Sequence, residues 1–436
     1  MSDKLPKISV FTLGCKVNQY DSDAMLAVFQ QSGFSVSVGL DFADVYVINT
    51  CAVTAEAEKK SRQAVARILK VNPNAEIYVC GCASQNNFSQ FAKQNVKYIS
   101  GTDKKLEFAK KIVDEYLGDG EQFDKIVCPD TFDISRVFED NDGVVNLCTR
   151  HFIKVQDGCN NFCSYCLIPY LRGRSRSRSL ESIVRELDSV CDKVKEVVIT
   201  GINLSAYGQD IGLSLPALLR RISIYDFAVR LGSLEVGVVN REFLDATKLI
   251  KRFCPHFHLS LQSGDDKTLK AMNRHYTAEQ YFDAVKLIRE YYPSAAITTD
   301  IIVGFPTETE EQFENSMEFA RKVAFADIHV FPYSSRKGTL AGKFPVLAPD
   351  VVEDRQKRMS AVKADLVSNY LNKQIGMPVN VLFETQENGI WCGHTPNYVK
   401  VFSKLGRRND IRLITPTGLF LDGVCDDTLK QNIIKI

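Results

Sequence analysis

The chain has 436 residues, of which 45% are hydrophobic and 25% charged, and its formal net charge is +1. These values are typical of a globular protein of two or three domains, and we expect three. No apolar run approaches the roughly 18 residues that a membrane helix needs, so we expect no membrane association. The nearly neutral charge does not exclude nucleic acid as a partner, because net charge hides local basic patches.

The first segment alternates apolar runs with helical patterns: ISVFTLGC, DSDAMLAVFQQSG, VYVINTC, AEAEKKSRQAVARILK and EIYVCGC. Repeated strands and helices predict an open parallel α/β domain over residues 6–120. A charged, irregular stretch at about residues 118–148 follows and indicates a linker.

A second alternating series runs through EVVITG, FAVRLGS, HFHLSLQS, AAITTDIIVGF and DIHVFPYS, with helical segments between them. This series predicts a partial (β/α) barrel over residues 145–373, in which reactive residues gather at the carboxyl ends of the strands. The remaining residues, 374–436, contain short apolar runs separated by turn residues, which predict a small antiparallel β-barrel.

The N-terminus, MSDKLPKISVFTLG, has no apolar signal core before a cleavage site, so we expect a cytoplasmic protein. Stable disulfides are rare in that reducing compartment. The thirteen cysteines therefore favour metal sites or buried thiols.

Three cysteines lie close together in DGCNNFCSYC: Cys159, Cys163 and Cys166. A C-x3-C-x2-C loop supplies three thiolates and would leave one iron of a cubane cluster without a protein ligand, free to hold another molecule. A zinc site remains an alternative, with Cys148 or His151 as the fourth ligand, and so do inert buried thiols. Tyr165 before the last cysteine, together with GIN and IIVGFP further on, favours the cluster.

Three more cysteines follow predicted strands of the first domain: Cys15, Cys51 and Cys82. Adjacent parallel strands bring their carboxyl ends together, so these thiols could converge, although packing in the core is an alternative. Cys80 competes with Cys82 for the third position. Cys80 ends the apolar run EIYVC and can pack inside, whereas Cys82 follows Gly81 in a loop.

The C-x3-C-x2-C loop resembles the signature of the radical S-adenosylmethionine (SAM) enzymes. TLGCKVNQYDS, NTCAVT, GCASQ, QDGCNNFCSYCLIPYLRGRSRSRS, HLSLQSGDDKTLKAMNRHYT, TTDIIVGFPTETEEQF and FPYSSRKGTLA resemble the methylthiotransferase family over nearly the full chain. The resemblance implies two 4Fe-4S clusters, one on Cys159, Cys163 and Cys166 and one on Cys15, Cys51 and Cys82. It also implies that SAM bound at the first cluster yields a 5'-deoxyadenosyl radical, which takes the hydrogen from C2 of the adenine ring. The second cluster would then deliver a methylated sulfur to the carbon radical.

Branches of this family modify adenosine 37 of tRNA, carrying either an N6-threonylcarbamoyl or an N6-isopentenyl group, or an aspartate of a ribosomal protein. Lys16 and Val17 in GCKVNQYDS resemble the threonylcarbamoyl branch; the others typically have Gln-Met or Pro-Lys there. The implied partners are the anticodon loop of ANN-decoding tRNA, an electron-donor protein and a sulfur source. A non-catalytic iron-sulfur or zinc RNA-binding protein is the alternative from another class.

Two basic segments support an RNA partner. The C-terminal segment YVKVFSKLGRRNDIR contains Lys400, Lys404, Arg407, Arg408 and Arg412, and the resemblance makes this region an RNA-binding TRAM domain. Arg172, Arg174, Arg176 and Arg178 follow the SAM loop. Alternate spacing in an extended loop would put them on one side, facing RNA phosphates or the SAM carboxylate. Solvated charge is the alternative for both segments.

The expected SAM pocket is drawn from the strand ends: Tyr165, Thr200, Gly201, Asn203, Arg230, Ser233, Glu235, Gln262, Ser263, Gly304, Phe305 and Pro306. The remaining cysteines are interpreted as structural thiols: Cys80, Cys128, Cys148, Cys191, Cys254, Cys392 and Cys425.

Overall fold

The structure is a computed structural model and describes residues 5–93, 95–118, 134–135, 137–140 and 149–429. Most of the predicted linker, with Cys128 and Cys148, lies outside the described residues. Within the described ranges no helix has the length and apolar character needed to cross a membrane.

Five parallel strands form the N-terminal sheet, in the order β2-β1-β3-β4-β5. Its elements are β1 (Ile8–Thr12), α1 (Lys16–Gln31), β2 (Val36–Val38), β3 (Val45–Thr50), α2 (Ala55–Val71), β4 (Glu76–Gly81), α3 (Cys82–Asn86), β5 (Val96–Ile99) and α4 (Lys105–Leu117). Every residue of β3, VYVINT, is buried, as expected for a strand covered on both faces by helices. The predicted parallel α/β sheet is confirmed.

Helix α1 begins at Lys16, five residues earlier than the predicted segment DSDAMLAVFQQSG. Val17, Tyr20 and Ala24 are buried, and their spacing of three and four residues continues the apolar face of the helix toward its N-terminus. This early start puts the residue after Cys15 on a helix instead of in a loop.

In the described part of the central region there are seven strands and eight α-helices. They are β6 (Arg150–Asp157), α5 (Ile168–Arg172), β7 (Arg176–Ser177), α6 (Leu180–Val190), β8 (Glu196–Gly201), α7 (Leu215–Ile222), β9 (Ala228–Leu231), α8 (Arg241–Lys248), β10 (His256–His258), α9 (Asp266–Ala271), α10 (Ala278–Tyr291), β11 (Ala296–Val303), α11 (Glu310–Val323), β12 (Asp327–Pro332) and α12 (Pro349–Asn372).

These strands form two sheets, β7-β6-β8-β9 and β10-β11-β12, in which every pair except β6 with β7 is parallel. Isolated bridges from Val229 to Phe253 and from Leu234 to Leu259 link the two sheets. The helix-side core includes Phe257, Ile297 and Ile328, so the alternate residues of these strands face the opposite, inner side.

Six strands form the C-terminal sheet, in the order β16-β13-β14-β15-β18-β17. They are β13 (Val379–Glu387), β14 (Ile390–His394), β15 (Lys400–Ser403), β16 (Ile411–Ile414), β17 (Gly418–Phe420) and β18 (Gly423–Cys425). The predicted antiparallel pairing holds for all pairs except β15 with β18, which is parallel.

Candidate functional site: two cysteine trios and a polar inner face

The first cysteine trio lies on the loop that follows β6. Gly158 has φ +70°, and a Cβ there would come within 2.1 Å of the Arg174 carbonyl oxygen, so the entry to the loop requires glycine. Ser164 fixes the middle of the loop, because its amide donates to the Met272 carbonyl at 3.0 Å and its carbonyl accepts from the Ala341 amide at 2.7 Å. The loop is therefore held in a defined conformation by its neighbours.

Polar side chains surround these sulfur atoms. Asn203 Nδ2 lies 3.9 Å from Cys159 Sγ, and Arg274 Nη1 donates to Cys163 Sγ at 3.3 Å. Glu235 connects the two, with its carboxylate 3.5 Å from Asn203 Nδ2 and 3.2 Å from Arg274 Nη1. Asn203 and Glu235 were predicted, whereas Arg274 was missed. It lies within the segment MNRHYT, in which nothing but its positive charge pointed to a sulfur contact.

Burial raises the pKa of Cys166 to about 12 and also raises the pKa of Cys159. The free thiols of Cys159 and Cys166 are therefore protonated near neutral pH, and binding of a metal centre would have to displace their protons. A nearby guanidinium such as Arg274 favours the thiolate form that a metal centre requires.

The second trio lies at the carboxyl edge of the N-terminal sheet. Cys15 is the N-cap residue of α1, Cys51 follows β3, and Cys82 follows Gly81 at the end of β4. A Cβ on Gly14, whose φ is +104°, would lie 2.8 Å from Cys51 Sγ, so glycine lets the first loop approach that sulfur. Burial raises the pKa of Cys51 to about 11, and the neighbouring thiols Cys82 and Cys15 also raise it.

Cys80 and Cys82 are both buried but have different neighbours, and Cys82 begins helix α3 instead of lying in the predicted loop. Cys80 is fully buried in the cluster that contains Tyr78 and Phe108, and burial raises the pKa of its thiol to about 12. Cys82 Sγ instead accepts a hydrogen bond from Arg172 Nε at 3.4 Å. Cys82 is therefore the thiol that faces the central region.

The donor sets fit iron-sulfur clusters better than single zinc ions. A tetrahedral zinc with Zn–S distances of about 2.3 Å needs sulfur atoms about 3.8 Å apart. Among the described residues, His258, Asp300 and His329 form a group of three possible metal ligands. Their ligand atoms all lie within 4.8 Å of one another. Within the described residues neither cysteine trio is that compact, so neither is arranged for a single tetrahedral zinc ion.

Arg172 contradicts its predicted role in RNA contact. Its side chain is 0% exposed, and Nη1 forms hydrogen bonds with both carboxylate oxygens of Asp157 at 3.0 and 3.1 Å. Nη2 donates to Asn18 Oδ1 at 2.5 Å, while Nε reaches Cys82. Asp157 stands two residues before Cys159, so Arg172 links the two cysteine trios across the domain boundary.

The predicted one-sided arginine run is also wrong. Arg176 and Arg178 are buried, whereas Arg174 is exposed, with its guanidinium 4.5 Å from the centre of the Phe162 ring. The reason is local structure: α5 contains Arg172 and β7 contains Arg176, so the segment is not an extended solvated loop. Arg174 alone of the four keeps the predicted exposure.

Arg172 belongs to a buried charged network. Asp21 accepts from Lys105 Nζ at 2.7 Å and from Lys154 Nζ at 2.8 Å, and Lys154 also pairs with Asp157 at 2.7 Å. Burial alone would raise the pKa of Asp21, but the surrounding cations, first Lys105 and then Lys154, lower it to about 2.

The predicted SAM pocket is only partly assembled. Thr200 and Gly201 end β8, and the backbone amide of Asn203 donates to Gln156 Oε1 at 2.7 Å. Tyr165 packs against a small cluster that contains the fully buried Phe305. The other predicted pocket residues lie at the ends of the following strands: Ser233, Gln262, Gly304 and Pro306.

Two predicted pocket residues point elsewhere. Arg230 is 1% exposed, pairs with Glu196 at 2.7 Å and donates to the carbonyl oxygens of Thr395 and Pro396 in the C-terminal region. Its place in the SAM pocket was wrong, because its side chain turns toward the start of β8. The Ser263 hydroxyl lies 3.0 Å from Ser316 Oγ on α11 and is fully buried there.

A polar inner face lines the central strands: His256, His258, Thr298, Asp300 and His329. His258 Nδ1 lies 3.0 Å from Thr298 Oγ1, and His258 Nε2 lies 3.3 Å from Asp300 Oδ2. Tyr398 from the C-terminal region stacks on His256 with 4.8 Å between ring centres. The sequence analysis did not select this face, although the alternation in HFH indicated it.

The C-terminal basic residues divide into two groups. Lys404, Arg407 and Arg408 are exposed between β15 and β16. Lys400 pairs with Asp422, and Arg412 Nε lies 2.7 Å from Asp410 Oδ2. Because exposed ion pairs are weak, these two cations could exchange their partners for phosphates.

Two known protein families match separate parts of this chain. Residues 153–320 match the radical SAM superfamily, and residues 7–101 match the uncharacterized protein family UPF0004. A solved structure of the radical SAM methyltransferase TsrM from Kitasatospora setae has a similar fold, with a TM-score of 0.56, 16% identity and coverage of 77% of each chain. The protein is therefore a radical SAM enzyme, a class that implies a 4Fe-4S cluster and SAM.

Full-length relatives give the family. The chain is 38% identical over 400 residues to the threonylcarbamoyladenosine tRNA methylthiotransferase MtaB of Aquifex aeolicus, covering 91% of this chain and 96% of the relative. It is 34% identical to the Bacillus subtilis protein of that name, with 91% and 90% covered. A tRNA-2-methylthio-N(6)-dimethylallyladenosine synthase of Caldicellulosiruptor saccharolyticus is 33% identical, with 88% and 84% covered. The chain belongs to the tRNA methylthiotransferase family and is a transferase.

Proposed function

We propose that the protein transfers a methylthio group to C2 of N6-threonylcarbamoyladenosine at position 37 of tRNA, using two SAM molecules and two 4Fe-4S clusters. The observation that carries this proposal is the position of Arg172. Its guanidinium contacts Cys82 of one trio and Asp157, two residues from Cys159 of the other. Two metal centres held by these trios would border the same space, as a two-cluster thiolation requires.

Cys159, Cys163 and Cys166 would hold the cluster that binds SAM. When bound, the cluster and SAM together supply the 5'-deoxyadenosyl radical that removes hydrogen from an unactivated C–H bond. The chain's own contribution is positioning: Asn203 and Arg274 contact the sulfur atoms, and Glu235 holds both of these side chains in place.

Cys15, Cys51 and Cys82 would hold the second cluster, which supplies the sulfur. The chain presents Cys15 exposed at the helix N-cap and keeps Cys82 against Arg172. Cys80, being part of the hydrophobic core, has no role in this proposal beyond packing.

The polar inner face supports the threonylcarbamoyl substrate. This group carries a carboxylate, a hydroxyl and a urea linkage, all of which need hydrogen-bond partners when buried. His258, Asp300 and His329 offer such partners. An isopentenyl group is purely apolar and would form no hydrogen bond with these half-buried and exposed polar side chains, which argues against the isopentenyl branch.

RNA would be bound by the C-terminal sheet, which we propose to be a TRAM domain. Lys404, Arg407 and Arg408 present exposed positive charge there for phosphates of the anticodon stem-loop. The modified base would have to be splayed out of the loop to reach the space between the trios. A protein electron donor and a separate sulfur source complete the proposed set of partners, with ANN-decoding tRNAs as substrates.

Mass spectrometry of tRNA nucleosides from a deletion strain tests this function. We expect the strain to lack 2-methylthio-N6-threonylcarbamoyladenosine and to regain it with the wild-type gene but not with Cys159→Ala. Undiminished nucleoside in the deletion strain would remove the assignment. Anaerobic incubation of reduced protein with SAM tests the non-catalytic alternative, because a binding protein would form no 5'-deoxyadenosine.

A further inference from the structure

Lys16 occupies a position where three parts of the protein meet. It is the first residue of α1 and directly follows Cys15. Helix α1 packs against β6 and β8 of the central region, and Lys16 lies at its N-terminal end. The Lys16 residue is exposed to solvent.

The charges around Lys16 come from the central and C-terminal regions. Arg230 and Arg150 are the cations that act on it, and Glu196 is the neighbouring anion. Arg230 and Arg150 are themselves paired with Glu196, at 2.7 and 3.0 Å, and Arg150 also pairs with Glu384 at 2.6 Å. Two arginines therefore face two carboxylates, and the Lys16 ammonium adds a positive charge that these carboxylates do not balance.

No hydrogen bond or ion pair of the Lys16 ammonium is found within the described part of the chain. The other lysines of this region differ, because Lys105 and Lys154 both form ion pairs with Asp21. An unbalanced cation among protein charges is a site for an anion.

A second unsatisfied group lies beside it. His256 is 6% exposed, Lys16 is among the cations acting on it, and its Nδ1 atom has no hydrogen-bond partner in the described structure. Buried polar atoms of this kind normally have a partner, from the protein or from a bound molecule. The Tyr398 ring stacks on the His256 ring. The centre of the Tyr398 ring also lies 4.8 Å from the Arg230 guanidinium carbon.

We infer that Lys16 binds the carboxylate of the threonylcarbamoyl group and so determines the substrate. The inference rests on the proposed function. Threonine joined through its amino group keeps a free carboxylate, which is ionised at neutral pH. The Cα atom of Lys16 is about 3.8 Å from that of Cys15, so a base presented to the second trio brings its N6 substituent within reach of the lysine.

The test is a double-mutant cycle between the side chain and the substrate. Reconstituted enzyme is given an anticodon stem-loop RNA carrying N6-threonylcarbamoyladenosine, or the same RNA with a carboxamide in place of the carboxylate. For the wild type we expect the carboxamide to lower kcat/KM about 10- to 100-fold, the effect of one hydrogen bond to a charged group. For Lys16→Met we expect both RNAs to react at the same low kcat/KM, whereas Lys16→Arg keeps the preference for the carboxylate.

Lys60→Met, on the exposed face of α2, is the matched control and should behave as wild type. The iron content of each variant is measured so that rates are compared per loaded enzyme, and Lys16→Gln serves as the second variant if Met impairs folding. An unaltered carboxylate preference in both variants would overturn the inference. An equal loss of rate with both RNAs in Lys16→Met, with the penalty for the carboxamide retained, would also overturn it. That result would describe a contact between Lys16 and an RNA phosphate. A wild-type enzyme that modifies isopentenyladenosine RNA and not the threonylcarbamoyl RNA would instead refute the proposed function.

Discussion

Replacement of Arg172 tests whether the two cysteine trios depend on one another. Arg172→Met keeps most of the side-chain volume but removes the guanidinium that contacts Asp157, Asn18 and Cys82. Breaking a buried ion pair by removing one partner costs about 3–5 kcal/mol, because the remaining charge stays buried. Asp157 keeps Lys154 at 2.7 Å and Arg176 at 3.4 Å, so we expect the lower end, about 3 kcal/mol.

Anaerobic denaturant unfolding measures this change, and iron and sulfide analysis follows the metal sites. A loss of about 3 kcal/mol corresponds to a change of more than 100-fold in the unfolding equilibrium constant. We expect Arg172→Met also to lose iron from the second trio, since the contact with Cys82 is removed. Methylthio transfer should then fall more than 5'-deoxyadenosine formation, which depends on the Cys159 trio.

Arg174→Met is the matched control, because Arg174 is exposed two residues away. Its free energy of unfolding should stay within about 0.5 kcal/mol of the wild type. If both variants unfold at the same denaturant concentration and retain the same iron, the buried link between the trios has no energetic importance and our reasoning is wrong.

Three further predictions concern the second trio, the buried charges and RNA. Cys82→Ala should keep SAM cleavage and lose thiolation, whereas Cys80→Ala should be nearly normal; the reverse result would move the third ligand to Cys80. The folded-state pKa of Asp21, about 2, lies below its ordinary value of 3.8, so its contribution, about 2 kcal/mol, is present above pH 4 and is lost as the pH falls toward 2. Acid titrations of the unfolding free energy should therefore be shallower in Asp21→Asn, and identical slopes would contradict this. Replacing Lys404 or Arg407 by alanine should weaken tRNA binding and lower the salt slope by about 1 each if it contacts a phosphate; unchanged slopes would place the RNA elsewhere.

The parallel sheets and the approach of the cysteines were predictable because both follow from short-range patterns. Strand-sized apolar runs ending in Cys51 and Cys82 indicate parallel strands whose carboxyl ends meet. The structure bears out the sheet and brings those residues to the same edge. The choice of Cys82 over Cys80 as a metal ligand stays a prediction, although the structure puts Cys80 in the core.

The errors involve charged residues, whose partners come from distant parts of the chain. Arg172 was assigned to RNA or SAM contact from its alternate spacing in a predicted extended loop, and Arg230 to the SAM pocket from its position at a strand end. Their actual partners include Asn18, 154 residues away, and the Pro396 carbonyl, 166 residues away. No local pattern predicts such pairs, and a basic run in the sequence therefore does not establish a basic surface.

The inner face of the central strands adds an argument about substrate that the motif GCKVNQYDS alone could not. In HFH the middle residue Phe257 packs in the helix-side core, which leaves His256 and His258 on the inner side. Local alternation predicts that two faces exist, but only the assembled sheets show that Lys16 and the charges of Arg150 and Arg230 gather near the same space. If the N6 substituent enters this region, as we propose, the region's polar groups would disfavour an apolar substituent because they would lose water, independently of the sequence motif. The proposed family branch can therefore be tested at two separate places: Lys16, which follows Cys15, and the nearby His256.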